Sequence, residues 1–277
     1  MPEKVVFVIV DGMRHDTALS VCGFLEGLVA GGKARRFTLR AALPSISLPL
    51  YETLHTGLPP VEHGFTSNEL LAPSRSPNVF GIAREHGLKT AACAHYYFSV
   101  LYNGERYDPL RDLEYEDPAR PIPIGRFHSE RGKTRFNIAY PGDGDLLTQA
   151  GIVLKKHAPD YLLVHSCTVD AIGHAFGATS AEYRQQCAVI DNELAQNVPL
   201  WQALGYRVIV TADHGQTDDG WHGGPSDAET LVPWYDIGHP EPGIAPGIEN
   251  QLRAAPTLLS LLGLPIPRSM REPPLPV

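Results

Sequence analysis

The sequence has few cysteines, no long apolar run and no cluster of positive charge. The 4 cysteines among 277 residues form no CxxC pair, so neither a zinc knuckle nor a dithiol redox motif is expected. The apolar run at residues 5–10 is too short for a membrane span or a signal peptide. A formal net charge of -8 makes general binding to nucleic acid or to a membrane surface a poor expectation. We therefore expect a cytoplasmic protein.

The composition is that of a folded domain, with 43% apolar and 19% charged residues. A chain of 277 residues can bury a large core without disulfides, and we predict a single domain over residues 1–277. Short β-branched runs alternate with longer amphipathic segments. This alternation predicts an α/β fold with a mostly parallel central sheet and helices on both faces. We predict strands at residues 5–10, 37–43, 89–94, 161–165 and 207–211.

One segment, at about residues 97–141, interrupts this alternation. It is rich in Arg, Asp, Tyr and Pro and has little periodicity. We predict a small, irregular cap insertion that shapes a substrate pocket. Tyr96, Tyr97 and Tyr102 near its start are candidate pocket residues, although aromatic side chains more often serve packing.

Acidic and histidine residues follow three of the predicted strands. In an open parallel sheet the carboxyl ends of the strands meet at one edge, so distant residues converge there. A lone Asp after a strand is commonly a helix cap, but an Asp-His-Gly turn and an Asp and a His four residues apart are more specific. A further His lies in a WHGG motif. The candidates are Asp11, Asp170, His174, Asp213, His214 and His222.

Three clustered carboxylates would repel one another and raise one another's pKa values. Two divalent cations would relieve this repulsion and leave a positive field suited to a phosphoryl group. Zinc fits a mixed carboxylate and imidazole ligand set best, with manganese or iron as alternatives.

Ser45 and Ser47 lie just before a predicted helix. A hydroxyl there is close to backbone N–H groups and to the positive end of the helix dipole, which favours phosphate binding. Metal coordination would lower the pKa of such a hydroxyl and generate an alkoxide. The residues alone favour a simpler role, in which Ser47 caps the helix.

Taken together, the motifs resemble those of the alkaline phosphatase superfamily, and most closely its nucleotide pyrophosphatase/phosphodiesterase branch. They occur in the order typical of that family and cover most of the chain apart from about residues 72–142. The motifs are VDG (10–12), PSISLP (44–49), TGLPPVEHG (56–64), SNE (67–69), DAIGHAFG (170–177), TADHGQTD (211–218), WHGG (221–224) and APTLLSLLGLPIP (255–267).

The resemblance implies an alkaline-phosphatase-like fold and a role for each candidate residue. It implies that Ser47 is the nucleophile and that Asn68 helps to hold the phosphate. It also implies two metal sites. One would be formed by Asp170, His174 and His222, and the other by Asp11, Asp213, His214 and Ser47.

Some motifs depart from the phosphodiesterase branch. The nucleophile there is usually threonine, and the interval between the Asp-His-Gly and the late His-Gly motif is usually longer. The short interval here resembles the ethanolamine-phosphate transferases of glycolipid anchor synthesis, which are membrane proteins. His239 is the alternative ligand if His222 is not one. The sulfatase motif is absent, and little sequence is available for the insertion typical of the mutase branch.

We expect a two-metal hydrolase of small-molecule phosphate esters, of the phosphodiester or nucleotide pyrophosphate type, acting through a phosphoseryl intermediate. The alternatives are a phosphomonoesterase, a phosphonate C–P hydrolase and a metal-binding protein without turnover. A monoester would need an additional cation. Candidates for it are Arg14, Arg126, Arg131, Lys133 and Arg135, each of which is by default a solvated surface residue.

Overall fold

A computed structural model describes residues 2–129, 131 and 141–277. Within those ranges the chain forms a nine-stranded sheet. Its strands are β1 (Lys4–Val10), β2 (Ala34–Arg40), β3 (Thr90–His95), β4 (Glu114–Glu116), β5 (Ile124–His128), β6 (Tyr161–Ser166), β7 (Tyr206–Thr211), β8 (Leu231–Ile237) and β9 (Gly243–Asn250).

The strands lie in the order β4-β5-β3-β6-β1-β7-β8-β2-β9. The five strands from β5 to β7 in this order run parallel. β8 is antiparallel to both of its neighbours, and β9 pairs in parallel with β2 at one edge. The predicted mostly parallel α/β sheet is therefore confirmed.

Twelve α-helices accompany the sheet in the described ranges. One group, which includes α1, α2, α8 and α10, packs together on one face, and a second group, which includes α3, α5, α6 and α12, covers the other. The helices are α1 (His15–Val21), α2 (Gly23–Ala30), α3 (Ser47–Thr56), α4 (Pro60–His63), α5 (Val79–Glu85), α6 (Tyr96–Asn103), α7 (Pro109–Asp112), α8 (Asp143–His157), α9 (Thr168–Phe176), α10 (Ala181–Ala203), α11 (Asp227–Thr230) and α12 (Ala254–Leu261).

None of these helices combines the length and the apolar character needed to cross a membrane.

The centre of the core is β1, whose residues 5–10 are all fully buried. This strand lies between β6 and β7, with Val5 opposite Tyr161 on one side and opposite Arg207 on the other. A parallel strand covered on both faces is expected to be apolar throughout, which explains the unbroken VVFVIV run.

Two features of the sheet differ from the sequence prediction. β2 begins three residues earlier than predicted, because Arg35 and Arg36 lie inside the strand and form ion pairs with Glu241 and Glu26. β8 and β9 were not predicted. β9 contains four glycine, alanine or proline residues in its first five positions, a composition with low strand propensity.

The segment 97–141 is more ordered than its composition indicates. It contains most of α6, all of α7, and the strands β4 and β5, and β5 extends the parallel sheet beside β3. Residues 130 and 132–140 of this segment lie outside the described residues. Its role as a cap over a substrate pocket stays a prediction.

A buried ion pair joins β7 to β8. The Arg207 guanidinium donates to both carboxylate oxygens of Asp236, at 2.7 and 2.8 Å, and also to Glu3 at 2.7 Å. The side chains of Arg207 and Asp236 are 4% and 1% exposed. Removal of either partner would leave a buried charge without its counter-ion, which is costly.

We predict that Asp236→Ala lowers the free energy of unfolding by about 3–5 kcal/mol. The matched control is Asp227→Ala, because Asp227 pairs with Arg40 at the surface and is 73% exposed. That exposed pair should contribute about 1 kcal/mol or less. Urea denaturation followed by circular dichroism measures both variants. Equal losses in the two would contradict a structural role for the buried pair.

Candidate active site

The carboxyl ends of the parallel strands bring the predicted acidic residues together. Asp11 directly follows β1, and its backbone N–H donates to Ser166 O at the end of β6, at 2.9 Å. Asp213 lies two residues beyond β7 and accepts from Gly12 N at 3.1 Å. Gly12 has a φ of +72°, and a Cβ there would lie 2.9 Å from Asp170 Cα. A glycine is therefore required where the turn after β1 meets α9.

The first cluster consists of Asp11, Asp213 and His214, all buried. His214 Nδ1 lies 3.0 Å from Gly215 O, which assigns its proton to Nδ1 and leaves a lone pair on Nε2. That Nε2 is 3.5 Å from Asp11 Oδ1 and 3.3 Å from Asp213 Oδ2. Three electron-rich atoms thus face one another in a buried space.

The second cluster consists of Asp170, His174 and His222. Asp170 and His174 occupy adjacent turns of α9, with His174 Nε2 3.4 Å from Asp170 Oδ2. His222 Nδ1 donates to Ser45 O at 2.9 Å, so its Nε2 lone pair faces His174 Nε2 at 3.2 Å and Asp170 Oδ1 at 3.6 Å. The His214 and His222 rings stack with centroids 3.8 Å apart, which joins the two clusters.

Ser47 is the first residue of α3, and its side chain makes no capping hydrogen bond. Its Oγ lies instead 3.2 Å from His214 Nε2. The capping role suggested by the local sequence is therefore wrong, because the helix begins one residue earlier than a Ser47 cap requires and Ile46 occupies the N-cap position. Asn68 lies beside the same turn, where its Oδ1 accepts from Leu48 N at 2.9 Å.

Burial dominates the electrostatics of the three carboxyl groups. It raises the pKa of Asp213 well above its usual range and also raises the pKa of Asp170, and in both cases the nearby Asp11 charge adds to the rise. Burial opposes ionisation of Asp11 as well, but contact with His165 and the field of His214 keep the pKa of Asp11 below its usual range.

These residues fit a pair of divalent cations. Asp11 Oδ1 and Asp213 Oδ2 are buried and have no hydrogen-bond partner among the described residues, an arrangement that costs free energy unless a cation compensates it. Each cluster offers carboxylate oxygen and imidazole nitrogen, the ligand types that zinc accepts. His239, the alternative to His222, lies elsewhere and contacts Pro276 O at 2.8 Å.

A cavity of about 120 Å³ opens onto both clusters. Asp213 and His214 lie beneath it, fully buried. Its lining consists of Asp11, Ser47, Tyr51, Asn68, His95, Tyr97, Cys167, Asp170, His174 and His222. The cavity therefore brings the predicted nucleophile, the predicted phosphate-binding residue and members of both clusters to one place.

Sequence reasoning missed Tyr51, His165 and Gln216. The Tyr51 hydroxyl donates to Asp11 Oδ2, and His165 Nε2 lies 3.2 Å from the same oxygen. Gln216 Nε2 donates to Asp170 Oδ1 at 2.6 Å. Tyr51 follows Ser47 by four residues on a predicted helix, so helical spacing was a usable signal. His165 required the pairing of β6 with β1.

The candidate additional cations are largely engaged elsewhere. Arg14 pairs with Asp16 and Asp218, each at 2.7 Å, and Arg126 pairs with Glu114 and Glu116. Arg131 lines a second cavity. Lys133 and Arg135 lie outside the described residues.

The second cavity, of about 1000 Å³, adjoins the first through Tyr97, which lines both. Tyr96, Tyr107, Arg106 and Arg131 also contribute to its wall. Tyr102 does not, because its hydroxyl is buried against Glu52 at 3.0 Å. Of the three tyrosines considered in the sequence, two therefore border a pocket and one packs in the interior.

A profile of the type I phosphodiesterase / nucleotide pyrophosphatase family matches residues 5–222. The chain belongs to this family.

Solved structures agree on the fold. Murine ectonucleotide pyrophosphatase/phosphodiesterase 5, an inactive variant in complex with AMP, superposes with a TM-score of 0.73 at 12% identity, and the match covers 96% of each chain. Alkaline phosphatase PafA gives a TM-score of 0.71 at 12% identity, over 99% of this chain and 98% of that one. The fold is thus that of the alkaline phosphatase superfamily, as predicted.

Curated relatives include transferases and mutases. The catalytic subunit of human GPI ethanolamine phosphate transferase 2 is 26% identical over 96% of this chain. This chain spans only 27% of that protein's length. The 2,3-bisphosphoglycerate-independent phosphoglycerate mutase of Roseobacter denitrificans is 32% identical, over 45% of this chain and 25% of the mutase. Superfamily members are phosphoester hydrolases or transferases.

A buried glutamate supports the helix that carries Ser47. Glu52 of α3 is fully buried and accepts from Ser74 Oγ at 2.5 Å and from Tyr102 OH at 3.0 Å. Burial raises the pKa of Glu52 from 4.5 to about 7, despite these two hydrogen bonds. The folded state therefore retains a proton that the unfolded state loses near pH 4.5, and stability falls as the pH rises towards 7.

We predict that wild-type protein loses up to about 3 kcal/mol more stability between pH 5 and pH 8 than Glu52→Gln does, since glutamine does not ionise. Chemical denaturation at a series of pH values measures this difference. Glu85→Gln, at an exposed position of α5, is the control and should follow the wild-type profile. Parallel profiles for wild type and Glu52→Gln would contradict the buried, protonated state.

Proposed function

We propose that the chain cleaves phosphoester bonds, preferentially those of phosphodiesters, with Ser47 as the nucleophile. The observation that carries this proposal is the position of Ser47 Oγ, 3.2 Å from His214 Nε2 and on the wall of the cavity onto which both clusters open. A serine serving only to cap α3 would not face a buried imidazole lone pair.

Two divalent cations, with zinc the best match, complete the proposed site. Asp11, Asp213, His214 and Ser47 would hold one, and Asp170, His174 and His222 the other. When bound, the ions supply positive charge that lowers the pKa of the Ser47 hydroxyl and balances charge on the phosphoryl and leaving oxygens.

The bond changes are those of an in-line displacement. Ser47 loses its hydroxyl proton, an Oγ–P bond forms, and the ester P–O bond on the opposite side breaks, so the leaving oxygen departs and takes up a proton. Attack of a water oxygen on the same phosphorus then breaks the Oγ–P bond and restores Ser47. A diester substrate yields an alcohol and a monoester.

The chain offers a small set of donors for the phosphoryl oxygens. In the first turn of α3 the Leu48 N–H is already bound to Asn68 Oδ1, and Pro49 has no N–H. The Asn68 amide nitrogen and the Ser47 N–H are the groups we assign to this role. Asn68 Oδ1 is fixed by its hydrogen bond, so the position of its amide nitrogen is preset before substrate binds.

The larger cavity supports a substrate with a sizeable group on the phosphate. Tyr97 borders both cavities, and Tyr96, Tyr107, Arg106 and Arg131 lie beyond it. Such a wall suits the second ester group of a diester. A diester carries less negative charge than a monoester and therefore needs no further cation at phosphorus.

Cytoplasmic location stays a prediction.

We predict that Ser47→Ala lowers kcat by about 10³-fold or more, because no other hydroxyl replaces the nucleophile. Metal content, measured by mass spectrometry of the elements, should stay close to that of wild type. Ser47→Thr is the matched variant, since it keeps a hydroxyl at the same position, and should retain a substantial part of the activity. Near-normal turnover of Ser47→Ala would exclude the covalent mechanism.

A second candidate reaction transfers the phosphoryl group to an alcohol. The curated relatives named GPI ethanolamine phosphate transferase 2 favour it, since their match covers 96% of this chain. The same Ser47 intermediate would serve both reactions, and only the oxygen that attacks it would differ.

We predict that bis-nitrophenyl phosphate is cleaved faster than nitrophenyl phosphate or phosphonoacetate, because no Arg or Lys of the described residues lines the smaller cavity. Glycerol added at increasing concentration should divert part of the product to a glycerol diester if an alcohol can attack the intermediate. Chromatography of the products measures this partition. Preference for the monoester or for phosphonoacetate would favour the phosphatase or C–P hydrolase alternatives. No turnover of any ester by metal-loaded protein would favour a purely metal-binding role.

A further inference from the structure

A third group of potential ligands lies beside the two clusters. It consists of His128 at the end of β5 and of His165 and Cys167 at the end of β6. These strands are not neighbours in the sheet, because β3 lies between them. Three potential ligands from two separate strands thus meet at the same edge as the proposed active site.

The two sulfur–nitrogen distances are close to those of a tetrahedral metal site. Cys167 Sγ lies 3.6 Å from His165 Nδ1 and 3.8 Å from His128 Nε2. With zinc–sulfur bonds of about 2.3 Å and zinc–nitrogen bonds of about 2.0 Å, tetrahedral angles place ligand sulfur and nitrogen about 3.5 Å apart. All three ligand atoms lie within 4.8 Å of one another.

The orientation of His165 also suits a metal. Its Nδ1 faces Cys167 Sγ, and its Nε2 lies 3.2 Å from Asp11 Oδ2 on the other side of the ring. Cys167 lines the active-site cavity, which gives an ion a path to the sulfur.

We propose that His128, His165 and Cys167 bind a third metal ion, of the soft or borderline class to which zinc belongs. A thiolate with two imidazoles selects such ions over magnesium or calcium. Binding converts the Cys167 thiol to a thiolate and releases its proton to solvent.

This ion would position Asp11. The His165 ring would bind the third ion through Nδ1 and donate from Nε2 to Asp11 Oδ2, the oxygen that also accepts from Tyr51. Metal-bound histidines commonly make such a second hydrogen bond to a carboxylate, and it fixes both groups. Asp11 in turn belongs to the first cluster, so occupancy of the third site would influence the geometry of the first.

The thiolate makes the third site distinguishable from the other two. The clusters proposed to hold the catalytic metals offer only oxygen and nitrogen atoms. A charge-transfer absorption band from sulfur to cobalt(II) therefore reports on Cys167 alone, whether or not the protein turns over any ester.

The test uses the full chain, stripped of metal and titrated with cobalt(II) chloride. We expect a sulfur-to-cobalt charge-transfer band in wild type and about one more equivalent of bound metal than in Cys167→Ser, which should lack the band. His128→Gln should weaken cobalt binding at this site by about 10-fold or more, by loss of a ligand. Cys187→Ser is the matched control, since Cys187 is a buried cysteine of α10 that lies in none of the three ligand groups, and should keep the band.

Absence of the band from folded, cobalt-loaded wild type would overturn the third site, as would its persistence in Cys167→Ser. The result does not depend on the catalytic proposal. If the catalytic metals are wrongly assigned, the band still appears, but the protein binds only one equivalent of cobalt instead of three. If only the third site is wrong, two equivalents bind without the band.

Discussion

Lone pairs that face one another in a buried space are the constraint on which the site depends. Asp11, Asp213 and His214 direct three electron-rich atoms at a common point, and none of the three residues is exposed to bulk water. Such an arrangement is unfavourable in a protein interior unless positive charge lies between the groups. In the second cluster, the Nε2 atoms of His174 and His222 lie 3.2 Å apart, and both lie within 3.6 Å of the Asp170 carboxylate. The proposed divalent cations would supply that positive charge.

The rest of the fold holds these groups in place against their mutual repulsion. β1 is buried between β6 and β7, and its pairing with both strands fixes the position of Asp11 at the carboxyl end of the sheet. Gly12 allows α9 to approach closely, and Ser45 O orients His222 from the opposite side. Main-chain hydrogen bonds orient His214 and His222, which supports a site organised before any ion or substrate binds.

Relatives named for different reactions match this chain, and solved structures share its fold. The family profile covers residues 5–222, whereas identity to individual relatives is low. Under the proposed function, the cavity beyond Tyr97 is the surface outside the clusters on which selectivity would depend. The group formed by His128, His165 and Cys167 also lies outside the two clusters, and His165 contacts Asp11 of the first cluster.

The sequence by itself determined the fold class and the identity of the residues in the two clusters. Unbroken apolar runs indicate buried parallel strands. The polar residues at the ends of these strands can be identified from the sequence, because each strand and the turn after it are adjacent in the chain. The sequence did not predict that β2 includes two ion-paired arginines or that the glycine- and proline-containing β9 is a strand, since both depend on partners distant in the chain. Only the tertiary structure decided that Ser47 faces His214 rather than capping α3, and that His222 rather than His239 joins the second cluster. The tertiary structure also decided that His165 and Tyr51 contact Asp11 and that His128 lies beside Cys167. Contacts between different strands and helices follow from the order and register of the sheet, which local sequence patterns do not encode.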